Sequence, residues 1–200
     1  FPSHFPSRDF GLKDNNTMAT IHGDIVRTGR LIFFLEPLKL EKVINHVVLP
    51  GVPEGEFFDE QDEVLSNWEQ HIRRIERVLY VFATLNTGMG YMQGFNELVF
   101  PFYYVLMKGI SVFDNDLDMA ECMCFNMFQW LLTSTSIYDF YTTLDHSIIM
   151  HNLDEFVALT KKHVPVASKK IQGHNLHPLL YCHRWFKLLF AQEHELPYLL

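Results

Sequence analysis

Apolar residues recur at three- and four-residue intervals through most of this chain and almost nowhere alternate. Trp68, Ile72, Ile75, Leu79 and Phe82 hold that spacing, which predicts an amphipathic helix reaching about Asn86 and stopping at Thr87-Gly88. Earlier, Ile21, Ile25 and Thr28 share one helical face. Asn15-Asn16-Thr17 resembles the cap of that helix, Gly29 its stop, and Gly23 a weak point inside it. A further helix is expected from near Gly94 through Leu98 to Lys108, with Pro101 in its first turns or kinking it. After Asp114-Asn115-Asp116, the stretch Met119 to Leu132 presents Phe125, Phe128 and Leu132 as a core stripe. Tyr138 to Lys162 reads as two shorter helices, Gln172 to Asn175 as a break, and His177 to Gln192 as a final helix crowded with Leu180, Trp185, Leu188 and Leu189. Val47-Val48-Leu49 is a possible short strand. The fold class expected is all-α, with no internal repeat.

Two segments fall outside this pattern. Residues 1–16, opening FPSHFPSRDFG, read as an extended arm, and the region of about 47–65, with its run EGEFFDEQDE, as a solvated acidic loop. Composition adds a limit on partners. A formal net charge of −8 argues against binding a phosphate backbone, so no nucleic acid is expected. The 18 phenylalanines suit a dense interior. Cys122, Cys124 and Cys182 are a sparse, odd set, expected as free thiols in a reducing, cytoplasmic setting. The uncharged run from Leu98 to Met107 is about half of the roughly 20 residues a bilayer span needs, so no membrane span is expected. The missing initiator methionine and the end at Leu200 suggest an excised or truncated domain.

Several chemistries fail on spacing. Gly88, Gly90 and Gly94 form GxGxxxG after an amphipathic helix instead of a strand, which does not fit a dinucleotide fingerprint, and there is no GxxxxGK[ST]. Asp114, Asp116 and Asp118 imitate a calcium loop, but Met119 and Phe125 stand where its glycine and bidentate acid belong, so helix capping is the better reading. His174, His177, Cys182 and His183 match no common closed zinc site. No metal is expected.

Two polar constellations remain. In IHGDIVRT, Asp24 and Arg27 lie three apart on one helix, within pairing reach. In GYMQGFNEL, Gln93 and Asn96 precede the most apolar run of the chain, and an amide set between glycines needs either partners or a purpose. A lone DxxR is ordinarily a surface salt bridge, and Gln93 and Asn96 alone could be helix-capping amides. IxxDxxRT followed by YxQGxN resembles the TBC domain, the GTPase-activating module for Rab-type small GTPases. LYCHRWFKLLFAQE, Leu180 to Glu193, is similar to that family's aromatic-RWF-x-x-LF-x-x-E helix, and all three segments stand in the family's order. The variant YMQGFNE followed by PFYY looks most like the branch of TBC domain family member 13.

The resemblance implies an irregular multi-helix domain over 17–200, of two helical subdomains with the second incomplete at its C-terminal end. It implies a GTPase activator inserting an arginine finger, Arg27, and a glutamine finger, Gln93, into the nucleotide site of a Rab-type GTPase in the GTP form. Asp24, Tyr91, Gly94 and Asn96 would support these fingers, and Ile21, Thr28, Phe95 and Arg184 are candidates for touching the GTPase. No cofactor of its own is implied; the partner carries GTP and magnesium. A cytoplasmic protein brought peripherally to membranes by its GTPase or by flanking regions is the matching expectation. The alternative is a non-catalytic TBC-like adaptor that binds a GTPase or another vesicle-traffic protein. Departures from the family are the long acidic interval between Arg27 and Gln93, His183 and His194 in place of aromatics, no clear counterpart of the tryptophan-containing N-terminal helix, and an end before the RxWD-like segment.

Overall fold

The computed structural model describes residues 15–36, 68–142, 146–196 and 198–199. The expected arm is largely outside these residues, as are the acidic loop and the possible strand at Val47-Val48-Leu49. Among the described residues there are eight α-helices and no strand: α1 Asn15–Thr28, α2 Glu69–Leu85, α3 Phe95–Lys108, α4 Leu117–Ser134, α5 Asp139–Thr142, α6 His146–His163, α7 Pro165–Gly173 and α8 Cys182–Leu188. Asn15 and Asn16 already belong to α1 instead of capping it. Pro101 lies inside α3, beyond its first turn. Asp116 caps α4 as its composition suggests, its carboxylate accepting from the amides of Asp118 at 2.9 Å and Met119 at 3.0 Å.

The described residues fall into two compact units, one over 1–129 with 195–200 and one over 130–194. In the first, α1 packs against both α2 and α3. The periodic residues Ile21, Ile25, Ile72, Ile75, Leu79 and Phe82 are all fully buried. Phe82 of α2, Phe95 of α3 and Phe128 of α4 meet edge to face, with ring centroids 5.1–5.9 Å apart. That arrangement suits the ring quadrupoles and fixes the start of α3 against α2.

The polar side of α2 is not solvated. Arg73, Arg74 and Glu76 are buried. Glu121 of α4 accepts from both Arg74 and Arg77, and Arg74 also reaches Asp118 at 2.7 Å. Burial pushes the Glu121 carboxyl up while Arg77 and Arg74 pull it down. His71, also buried, lies 2.9 Å from the Tyr103 hydroxyl and 3.0 Å from the Glu36 carbonyl, and burial lowers its pKa. It is therefore a neutral hydrogen-bonding group inside the core.

In the second unit, Phe140, Ile149, Leu153 and Cys182 form a small core, with Phe156, Tyr181, Trp185 and Phe186 packed against it. Burial pushes the Cys182 thiol up to about 11, so it is an inert core residue. The expected final helix over His177 to Gln192 is shorter. A 3-10 turn occupies Pro178–Leu180, and α8 stops at Leu188. Leu189 and Phe190 both adopt left-handed backbone angles, φ 48° and 63°. Phe190 N–H reaches the Trp185 carbonyl at 3.1 Å, and the two rings stack at 5.5 Å. These are the bond and the apolar contact of a Schellman ending, made here without glycine. Leu189, one of the apolar residues crowding the expected helix, is consequently exposed, whereas Leu188 is buried.

Trp185 is half-buried, meeting Phe156, Tyr181 and Phe190. Trp185→Ala should destabilise the second unit by about 2–3 kcal/mol, below the range of a fully enclosed ring. An unchanged melting curve would show that this ring is not part of the core.

Candidate functional site

The site is assembled from the end of α1 and the loop before α3. On α1 the same face that buries Ile21 and Ile25 also carries Asp24, whose side chain is 4% exposed. Arg27, one turn on, pairs through Nη2 with Asp24 Oδ1, yet its own side chain is 64% exposed. Its guanidinium lies back over Gly23, 3.5 Å from where a Cβ on that glycine would stand. A buried carboxylate therefore anchors a solvent-facing cation. The helix ends on Thr28, whose hydroxyl donates to the carbonyls of Asp24 at 3.0 Å and Ile25 at 3.3 Å.

The loop is shaped by Asn86 and by two glycines. The Asn86 carbonyl accepts from the amides of Met89 and Gly90, both at 2.8 Å, and Gly90 takes φ 63°. Phe95 N–H then closes a turn onto the Met92 carbonyl at 3.1 Å. Gly94, third in that turn, has φ 104° and ψ −13°, as a type II turn requires and as residues with a Cβ resist. Gln93 occupies the second, corner position. It is exposed, and its amide makes no hydrogen bond to another described residue.

Gln93 and Asn96, on either side of Gly94, thus have opposite surroundings. Asn96 is buried at the start of α3 and uses both ends of its amide. Its nitrogen donates to Thr28 Oγ1 at 3.0 Å and to the Asp24 carbonyl at 3.4 Å. Its oxygen accepts from Gly94 N–H at 3.2 Å and from the Tyr91 hydroxyl at 3.4 Å. The single Tyr91 hydroxyl hydrogen goes chiefly to Asp24 Oδ2, at the shorter 2.8 Å, and the ring meets Phe95 edge to face at 6.0 Å. Asp24 therefore holds Arg27 with one oxygen and the Gln93 loop, through Tyr91, with the other. On the far side of α1, His22 pairs with the buried Glu76, which also accepts from Arg73 at 3.1 Å.

Asn96→Ala should cost about 1–3 kcal/mol, because Thr28, Tyr91 and Gly94 lose a buried partner together. Chemical denaturation checks this, and a loss of a few tenths of a kcal/mol would mean that water replaces the amide.

Asp24, Arg27, Thr28, Tyr91, Gly94 and Asn96 are thus brought into one network. Two candidates for touching a GTPase are corrected. Ile21 and Phe95 are 0% exposed, because one lies on the packed face of α1 and the other completes the phenylalanine cluster. Arg184 belongs to the second unit, where it is exposed and donates from Nε to Glu193 at 2.9 Å. The buried charges of α2 and α4 were not anticipated. Their signal was the matched three-residue spacing of Arg74 with Arg77 and of Asp118 with Glu121. Among the described residues no three His, Cys, Asp or Glu gather as a metal site, and none of the helices is long and apolar enough to cross a membrane.

In this helical frame Asp24 joins an exposed arginine to a glycine-bounded glutamine turn. Residues 58–200 match the Rab-GTPase-TBC domain family, and the chain belongs to it. It is 34% identical over 131 residues to a TBC domain-containing protein of Schizosaccharomyces pombe, covering 64% of this chain and 20% of that protein. It is 33% identical over 138 residues to TBC1 domain family member 13 of Homo sapiens, covering 68% of this chain and 34% of that protein. GTPase-activating protein GYP7 of Saccharomyces cerevisiae is 22% identical over 138 residues, covering 69% of this chain and 16% of that protein. The chain spans about a third or less of the length of these relatives. No solved structure matches it. The family match includes Tyr91, Gln93, Gly94 and Asn96 but begins after Asp24 and Arg27.

Proposed function

We propose that this domain accelerates GTP hydrolysis by a Rab-type small GTPase, inserting Arg27 and Gln93 into the partner's nucleotide site. One observation carries the reading. Asp24 is buried and joins an exposed arginine to the loop that presents an exposed glutamine. Hydrolysis builds negative charge on the γ-phosphoryl oxygens and the leaving oxygen, and a guanidinium neutralises it there. An amide can accept from the attacking water and donate to a phosphate oxygen at once. Asp24 limits the rotamers of Arg27, and the type II turn holds Gln93 at a corner where a second backbone can approach closely. Thr28, half-buried beside Arg27, is the remaining candidate from the first unit for touching the partner. GTP and magnesium come with the GTPase, and this chain contributes no cofactor. A cytoplasmic location, with recruitment to membranes through the GTPase, follows from the same reading.

The adaptor reading has one observation in its favour, that the family match begins downstream of Arg27. Single-turnover GTP hydrolysis by a panel of Rab proteins, with and without this chain, separates the two. Acceleration of at least one Rab is expected. Binding without acceleration of any Rab would establish the adaptor instead.

A further inference from the structure

The chain's charge is unevenly divided. From Phe156 to Gln192 there are Lys161, Lys162, Lys169, Lys170, Arg184 and Lys187 and no aspartate or glutamate, in a chain of net charge −8. Four of these lysines flank one sharp corner. α6 ends on Lys161, Lys162 and His163, Val164 alone joins it to α7, and Pro165 opens α7. Val164 N–H donates to the Thr160 carbonyl at 2.9 Å, and Ser168 N–H to the Val164 carbonyl at 3.0 Å. The corner's backbone is thereby satisfied from within, and its apex is apolar. Val164 is 53% exposed and Val166 82%, with Leu159, one turn back on α6, at 56%. All four lysines are exposed as well.

Lysines in the last turn of α6 would complement its dipole without any partner. That does not explain Lys169, nor why two β-branched apolar residues stand at a turn where a polar residue would serve in water. We propose that this corner docks on an anionic lipid surface. Val164 and Val166 enter the boundary between headgroups and acyl chains, while the lysine pairs on either side rest against lipid phosphates. The acidic remainder of the chain has no attraction to such a surface, so contact falls to this basic stretch. A nucleic-acid site would leave the valines idle. Two valines bury little area, so binding is reversible and depends on the charges.

The test needs no GTPase, so its failure and that of the activator reading are separate results. The full chain is floated with vesicles of phosphatidylcholine alone and of phosphatidylcholine mixed with phosphatidylserine, at low and physiological salt. Binding to the mixed vesicles is expected, weakening as salt rises, with little to the neutral ones. Each lysine removed should lower the binding constant about five-fold, so Lys161→Gln with Lys162→Gln should lower it about 25-fold. Val164→Ser with Val166→Ser should weaken binding several-fold, with an unchanged melting curve on the same preparation. Equal binding to both vesicles, binding to neither, or indifference to the valine pair would overturn the proposal. So would equal affinity for a single-stranded oligouridine, or a concentration-dependent dimer abolished by Val166→Arg, which would assign the corner to a polyanion or to a second copy of the chain.

Discussion

Arg27→Lys is expected to leave a Rab-type partner bound while removing most of the acceleration of its GTP hydrolysis. An arginine finger contributes roughly 10³–10⁵ in rate, and lysine keeps the charge but not the planar fork that meets two phosphate oxygens. The anchor sharpens the expectation. Arg27 commits Nη2 to Asp24 while most of the side chain remains in solvent, so a guanidinium can keep its tether and still present N–H groups to phosphate. An ammonium has three donors but gathers them on one atom, so it cannot span the carboxylate and the phosphate as the fork does. Stability should change little, because lysine still places a cation beside the buried Asp24 carboxylate, which also keeps the Tyr91 hydroxyl. Binding to the GTP-loaded partner and single-turnover hydrolysis, measured side by side, check both halves. If Arg27→Ala hydrolysed at the wild-type rate, the arginine would be a structural partner of Asp24 and the adaptor reading would stand.

What could be read from the chain follows from which interactions are local. The stripe Ile72, Ile75, Leu79 and Phe82 was legible because a helix repeats every 3.6 residues and the core needs one apolar face. The end of α8 was not. A left-handed cap is ordinarily announced by glycine, and here Leu189 takes that conformation because Phe190 stacks on Trp185. Nor was the burial of Arg74 and Glu121, since charged residues read as solvated until a partner more than forty positions away is placed against them. The network has the same division. DxxRT and YxQGxN located Asp24, Arg27, Tyr91 and Asn96, but residue identity within a motif does not tell which face it occupies. Ile21 and Phe95 share those motifs and point into the core. Asn96 and Gln93 are both uncharged amides beside Gly94, and only the turn separates them into a bolt and an exposed tip.

That separation makes Gln93→Ala the most discriminating single change. The side chain is exposed at the corner of the Met92–Phe95 turn, and the turn is closed by backbone atoms and by Asn96. Removing the amide should therefore leave melting nearly unmoved, in contrast to the roughly 0.5–2 kcal/mol lost with a true capping side chain. Hydrolysis should nonetheless fall by orders of magnitude, because the water loses the group that orients it. The loss should be non-additive with that of Arg27→Ala, since both side chains act on one transition state, and the double variant should be little slower than the worse single one. Asn96→Ala, measured beside it, should show the reverse order, with stability lost first and activity falling only as the loop loosens. Melting and single-turnover hydrolysis on the same preparations decide the matter. A clear loss of stability in Gln93→Ala with unchanged turnover per folded molecule would make the glutamine a structural residue of the turn.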